Sequence, residues 1–221
     1  MKNTIIACRM IQDELQHVMD EINSLDHVIW VDSEYHSEPE RLKSKLQEII
    51  DNLEGTDNII LVYGYCGNAL IGLKATTANL IFPRVNDCIS MLLKSERLND
   101  AYYLTRRWIE SPASIIQEYK IALERYGEER AKKLFRLMLK NYTKLMLLET
   151  GTYDTEKYLK EIQEFAEKVG LKVDSQEGDL HFLKKILIGP YDENDFVIIK
   201  KGGKVDLSHI VRGNEKKAVN Y

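Results

Sequence analysis

The chain has 221 residues, 44% of them hydrophobic and 30% charged, with a net charge of −4 and acidic and basic residues interspersed. That length suits one sizeable α/β domain or two small ones with a packed core. The charge balance offers no basic stripe for nucleic acid and no support for an anionic membrane surface as partner. Apolar runs stop at about six residues, against the roughly 20 that a membrane-spanning helix needs. The opening MKNTIIACRMIQDEL meets an acid at Asp13, unlike a secretory signal. The expectation is a cytoplasmic protein with no membrane and no nucleic-acid partner.

In chain order, Thr4 to Met10 reads as a buried strand, and Ile11, Leu15, Val18, Met19 and Ile22 then recur at helical spacing. His27 to Val31 is a second strand. Pro39 stands at a helix start that runs to Gly55. Residues 58–64, NIILVYG, form the third strand and 68–76 a short helix; residues 79–85, NLIFPRV, form the fourth strand, followed by a helix over 86–95 capped by Asn86 or Asp87. Strand–helix repetition of this kind predicts a doubly wound, mostly parallel sheet of the Rossmann-like or flavodoxin-like type.

From Asp100 the texture changes. Residues 100–112, rich in aromatic and basic side chains, read as a loop or short strand. A helical insertion covers about 105–142, with Gly127 as a break. Lys144 to Thr150 is a fifth strand, 155–170 an amphipathic helix, 171–178 a sixth strand, 179–189 a short helix, and 195–205 the last strand with a Gly202–Gly203 turn. Residues 1–211 then form a single domain and 212–221 a frayed tail.

The chemistry gathers on three cysteines. Cys8, Cys66 and Cys88 are an odd number with no export signal, so a disulfide framework is disfavoured and free thiols or metal ligands remain. Each lies at or just past the carboxyl end of a strand, where open parallel sheets bind ligands. In a 2-1-3-4-5 strand order the first, third and fourth strands are neighbours ~4.8 Å apart, which brings the thiols within about 10 Å of one another. Thiolates suit zinc, Cu(I) or an iron–sulfur cluster, and three ligands leave a position open; His36 is the best-placed fourth. Equally, free cysteine packs as a small hydrophobe, and no CxxC spacing fixes a metal locally.

Cys66 is the centre of the set. Gly64 and Gly67 let the chain turn beside it, and a helix starting at Asn68 would favour its thiolate. Arg84 is placed to clamp an anion, or else to pair with Asp87. Tyr65, Gly67, Asn68 and Trp108 complete the candidate cofactor contacts, with Cys66 and Asp87 as candidate catalytic groups. Tyr63 and Tyr65 bracket Gly64, positions that more often pack or cap a loop. Tyr102, Tyr103, Arg106, Arg107 and Trp108 could cover a planar or anionic ligand, or anchor the insertion. Glu149 and Thr150 end the fifth strand. No P-loop, GxGxxG, GxSxG or HExxH motif is present.

VYGYCGNALIGL, FPRVNDCISMLL and YYLTRRWIE, in that order, resemble a domain-of-unknown-function family of methanogenic archaea and anaerobic bacteria, associated with genes for corrinoid-dependent methyltransferases. The resemblance spans roughly residues 5–200 and carries the family's patterns onto Cys8; Gly64, Cys66, Gly67 and Asn68; Arg84, Asp87 and Cys88; and Tyr103, Thr105 and Trp108. The family's Thr-Pro-Gly-Trp departs here to Thr105-Arg106-Arg107-Trp108. It implies anaerobic one-carbon or methyl-transfer metabolism, and with it a corrinoid or a methyltransferase as further ligand or partner. The leading reading is therefore a metal- or iron–sulfur-binding protein acting on a small anionic substrate or cofactor. A corrinoid- or methyltransferase-binding module with structural cysteines, and a metal-free thiol enzyme with Cys66 as nucleophile, stand beside it.

Overall fold

The computed structural model describes residues 2–210. Its strand without a polar interior is the central one: β3 (Asn58–Val62) is buried at every position, a pattern that fits a strand covered on both faces. β1 (Asn3–Cys8) and β4 (Asn79–Pro83) run parallel to it on either side, and β2 (His27–Val31) lies parallel outside β1. β8 (Phe196–Ile199) closes the other edge antiparallel to β4, giving the order β2-β1-β3-β4-β8. The carboxyl ends of the first four strands share one rim, and β8 enters the sheet there at Phe196, opposite Pro83.

Helices α1 (Gln12–Glu21) and α2 (Pro39–Asn52) belong with this sheet, Pro39 sitting in the first turn of α2 where a missing N–H costs nothing. α1 buries Leu15, Val18 and Met19 at the expected spacing and packs on α7 (His181–Ile188).

β5 (Ala101–Leu104), β6 (Lys144–Glu149) and β7 (Lys172–Glu177) make a separate parallel sheet in that order. α3 (Arg106–Glu110), α4 (Ile115–Tyr126) and α5 (Glu128–Met138) fill the helical stretch between β5 and β6, with Gly127 at φ +77° breaking α4 from α5. α6 (Thr155–Val169) is capped by the Asp154 side chain and stopped by Gly170 in the left-handed conformation. Tyr119, Phe135 and Phe165 meet edge to face in this core, with ring centroids 5.2 to 6.2 Å apart.

The class is thus α/β, a five-stranded mostly parallel sheet and a three-stranded parallel sheet flanked by helices in the Rossmann-like manner. Where the sequence reads as one sheet in one domain, the contacts divide the chain into two compact units. The first holds the residues up to Met91 and those from His181 on, and the second holds Leu92–Leu180. The reassignment has a local cause at β4: its open edge is taken by β8, so Lys144–Glu149 joins a different sheet. Two short helices also fail to form. Residues 72–75 instead bond to the main chain of 202–205, Gly72 N–H to Val205 O and Val205 N–H to Leu73 O at 2.8 Å each. Past β4 only a single 3₁₀ turn, Ile89–Met91, is present. The tail from 212 lies outside the described residues.

Candidate functional site

The site is built where the strands end. Cys8 is the last residue of β1; Ala7 pairs with Val62 of β3, so Cys8 and Tyr63 follow as neighbours on adjacent strands. Cys8 and Cys88 are buried, while Cys66 is half exposed. Cys88 lies between the other two thiols: Cys8 and Cys66 each act on it, which makes Cys88 the middle sulfur of a row.

The neighbouring Cys88 thiol, and then burial, push the Cys8 thiol well above its ordinary range. Cys66 raises the Cys88 thiol most, Cys8 lowers it, and burial adds to the rise. Cys8 Sγ also accepts the Met10 N–H at 3.5 Å.

Cys66 is carried by an unusual turn. Cys66, Gly67 and Asn68 occupy positive φ in succession, at 43°, 65° and 71°. For a non-glycine residue such a conformation is uncommon and costs about 1–3 kcal/mol when strained, so it persists only where its surroundings fix it. Here the fixing is a short ladder between loops: Tyr65 N–H donates to Val85 O at 2.8 Å and Cys66 N–H to Asn86 O at 3.0 Å. Gly64 permits it, because a Cβ there would lie 2.5 Å from Asp87 Cα. With no helix at Asn68, the helix dipole expected to favour a Cys66 thiolate is absent.

The other predicted residues sort by what they touch. Asp87 Oδ1 accepts from Ser90 N–H at 2.9 Å and Ser90 Oγ at 2.8 Å, capping the turn after Cys88. The Arg84 guanidinium bonds to distant main chain and not to Asp87. Its Nε donates to Glu193 O at 2.9 Å and Phe196 O at 3.1 Å, and its Nη1 to His209 O, so it fastens the C-terminal segment to the rim. Tyr65 is buried, which raises its phenol, and the adjacent Arg84 guanidinium pulls it partly back. Gly67 and Asn68 are exposed beside Cys66. Trp108 lies on α3 in the second unit and packs against that unit's core. His36 sits in the 3₁₀ stretch Ser33–Ser37, but its side chain lies outside the described residues.

Two rim residues carry no weight in the sequence and gain it in the fold. Asp32, just past β2, binds Arg9 at 2.6 Å, and its charge reaches Cys8 and Tyr63. Tyr63, 1% exposed, has a hydroxyl without a hydrogen-bond partner, and burial first, then Cys8, Cys88 and Cys66, push its phenol well above the ordinary value. The signal for Tyr63 was its place one residue beyond β3, level with Cys8.

A family model described as protein of unknown function, DUF1638, matches residues 30–187. The chain belongs to the DUF1638 family. The match includes Cys66 and Cys88 and begins after Cys8. No curated protein and no solved structure matches the chain.

For this DUF1638 chain the donor chemistry and the present geometry say different things about a metal. Three adjoining sulfurs form a soft donor set. Yet among the described residues no group of three or more His, Cys, Asp or Glu side chains stands ready to hold a metal ion. The sulfurs form a row with Cys88 between its neighbours. Among the described residues no helix is long and apolar enough to cross a membrane.

Proposed function

We propose that the rim of the first unit binds a thiophilic metal centre, zinc or an iron–sulfur cluster, through Cys8, Cys66 and Cys88. The observation that carries this reading is the continuous sulfur row, drawn from three chain segments that are far apart in sequence. The two buried thiols, Cys8 and Cys88, are costly to ionise in water-poor surroundings. A bound soft cation reverses that cost by replacing their protons. Cys66 is the member suited to turn inward, since it stands at the open end of the row on a glycine-flanked loop. Three thiolates leave a position for a small anionic substrate or cofactor, and by the family resemblance its context is anaerobic one-carbon or methyl-transfer metabolism, with a corrinoid or a methyltransferase as partner. When bound, the metal supplies Lewis acidity or electron transfer; Asp87 and Arg84 hold the loops that carry the ligands.

The test is anaerobic purification followed by metal analysis and an ultraviolet–visible spectrum, with zinc and iron–sulfur reconstitution of the purified chain. About one metal centre per chain is expected, lost in Cys66→Ser. A colourless chain that takes up neither overturns the reading.

A second reading draws on a separate observation: of the three thiols only Cys66 is partly exposed, Cys8 and Cys88 being buried. Such a thiol suits a metal-free nucleophile. Rapid, selective alkylation of Cys66 at neutral pH in metal-free protein is its expected mark, and sluggish labelling counts against it.

A further inference from the structure

The second unit holds a cavity that the sulfur rim does not use. α4 and α6 leave a slot of about 220 Å³ between them, with apolar walls from Ile116 and Leu123 on α4 and Phe165 on α6. Tyr119 lines the same slot. It is 3% exposed, its ring is held edge to face against Phe135 and Phe165, and its hydroxyl has no hydrogen-bond partner. Phenylalanine would keep those ring contacts without stranding a polar group, since a buried hydroxyl with no partner lowers stability. A hydroxyl kept on a cavity wall finds its partner in what enters the cavity, where a few placed polar groups orient a mostly apolar ligand.

The rest of the lining is charged and at least partly open to solvent: Lys120 from α4, and Glu161, Glu164 and Lys168 from α6. None of these four makes an ion pair among the described residues, although Lys132 on the neighbouring α5 closes onto Glu128 at 2.8 Å. The slot therefore combines an apolar interior, one buried phenol and two uncommitted charges of each sign. Its volume falls below the roughly 300 Å³ at which drug-sized pockets begin, which selects a small molecule. A simple acid would face the two glutamates unanswered and a simple amine the two lysines, and like charges brought together reject a ligand. We propose that this slot binds a free apolar amino acid, its side chain between Ile116, Leu123 and Phe165, its carboxylate accepting from the Tyr119 hydroxyl beside the lysines, and its ammonium toward Glu161 and Glu164. No part of this rests on the sulfur rim.

The experiment titrates the full chain with L-leucine and L-phenylalanine, followed by ligand-detected NMR and calorimetry, and repeats the titration with 3-phenylpropanoate and 2-phenylethylamine, which lack the ammonium and the carboxylate. At least one amino acid is expected to saturate a single site per chain, and each one-charge analogue to bind about tenfold or more weakly than L-phenylalanine. Tyr119→Phe is expected to bind about 10- to 100-fold more weakly, the loss of a hydrogen bond to a charged group. Without ligand the same variant should melt at or above the wild-type temperature, because its hydroxyl serves no partner in the fold. Glu161→Gln combined with Glu164→Gln should narrow the gap between L-phenylalanine and 3-phenylpropanoate, a change that mere loss of folding does not produce. The proposal is overturned if neither amino acid binds, if either analogue binds as well as L-phenylalanine, or if Tyr119→Phe binds as wild type does. A melt of Tyr119→Phe below wild type overturns it too, since the hydroxyl then serves the fold.

Discussion

Gly64→Ala tests whether the ladder between the two cysteine loops is what holds the rim together. The new Cβ would stand 2.5 Å from both Asp87 Cα and Asp87 N and 2.8 Å from Asn86 C. All three are backbone atoms, so no side chain can swing aside, and ordinary contact requires a separation of about 1 Å more. Opening that gap stretches the adjacent bonds from Tyr65 N–H to Val85 O and from Cys66 N–H to Asn86 O, now 2.8 and 3.0 Å. Overpacking contributes about 1–3 kcal/mol and the two hydrogen bonds, weakened and not lost, about 1–2 kcal/mol together. The sum is about 2–5 kcal/mol, a large share of the roughly 5–15 kcal/mol that typically holds a domain together. Two units need not unfold as one transition, so the assay should follow the first unit alone. Trp30 in β2 does this by fluorescence in a Trp108→Phe background, since the chain has two tryptophans. Urea titration is expected to show the Trp30 transition destabilised by about 2–5 kcal/mol. Gly127→Ala meets nothing within 4 Å and carries only the cost of its backbone, φ +77° with ψ 166°, a region nearly confined to glycine, about 1–3 kcal/mol. A Gly64→Ala transition within about 0.5 kcal/mol of wild type would refute the steric argument.

Asp87→Ala removes a cap and should cost about 1 kcal/mol, whereas Asp87→Asn keeps an acceptor for Ser90 and should cost a few tenths; equal losses would argue for a role of the charge itself. Arg84→Lys cannot reproduce bonds from both Nε and Nη1; hydrogen exchange should show residues 193–209 released, with a loss of about 2–3 kcal/mol. Lys185 bridges Asp192 at 2.7 Å and Asp195 at 2.6 Å, and its bond holds the Asp192 carboxyl below its usual range against the opposing effect of burial. A depressed carboxyl stabilises the fold above its unfolded value and loses that contribution as pH falls through the folded one. Thermal melts of Lys185→Met should therefore lie below wild type at neutral pH and converge with it in acid; a constant gap at every pH would exclude this account.

The order of the first four strands follows the common doubly wound pattern, and their burial was legible locally: IILV and LIF have no polar residue that a solvent-facing side could use. From that order the meeting of Cys8, Cys66 and Cys88 followed by counting strands. Sheet membership beyond β4 was not legible, since KLMLLE would complete either sheet equally well and only the arrival of Phe196–Ile199 decides. The main-chain partners of Arg84 were not legible for the same reason: they lie 109 to 125 residues away, where sequence proximity offers only Asp87 as a pair. The helices expected after Gly67 and Asn86 failed through pairing with distant main chain in one case and a one-turn cap in the other. Tyr63 was passed over because an aromatic residue at a strand end is ordinarily packing, and nothing in the sequence says that its hydroxyl lacks a partner.

The antiparallel β8 sets a timetable for synthesis. The first unit is discontinuous, and the strand that closes its sheet follows the whole of the second unit in the chain. As the polypeptide leaves the ribosome, at about 5–20 residues per second, β1 to β4 emerge with one edge unpaired and with Arg84 still lacking its carbonyls. The second unit, continuous from Leu92 to Leu180, emerges whole before that edge is covered. The sulfur loops are thus assembled early but fastened late, and the interval between is when the thiols are most open to whatever the cell delivers to them.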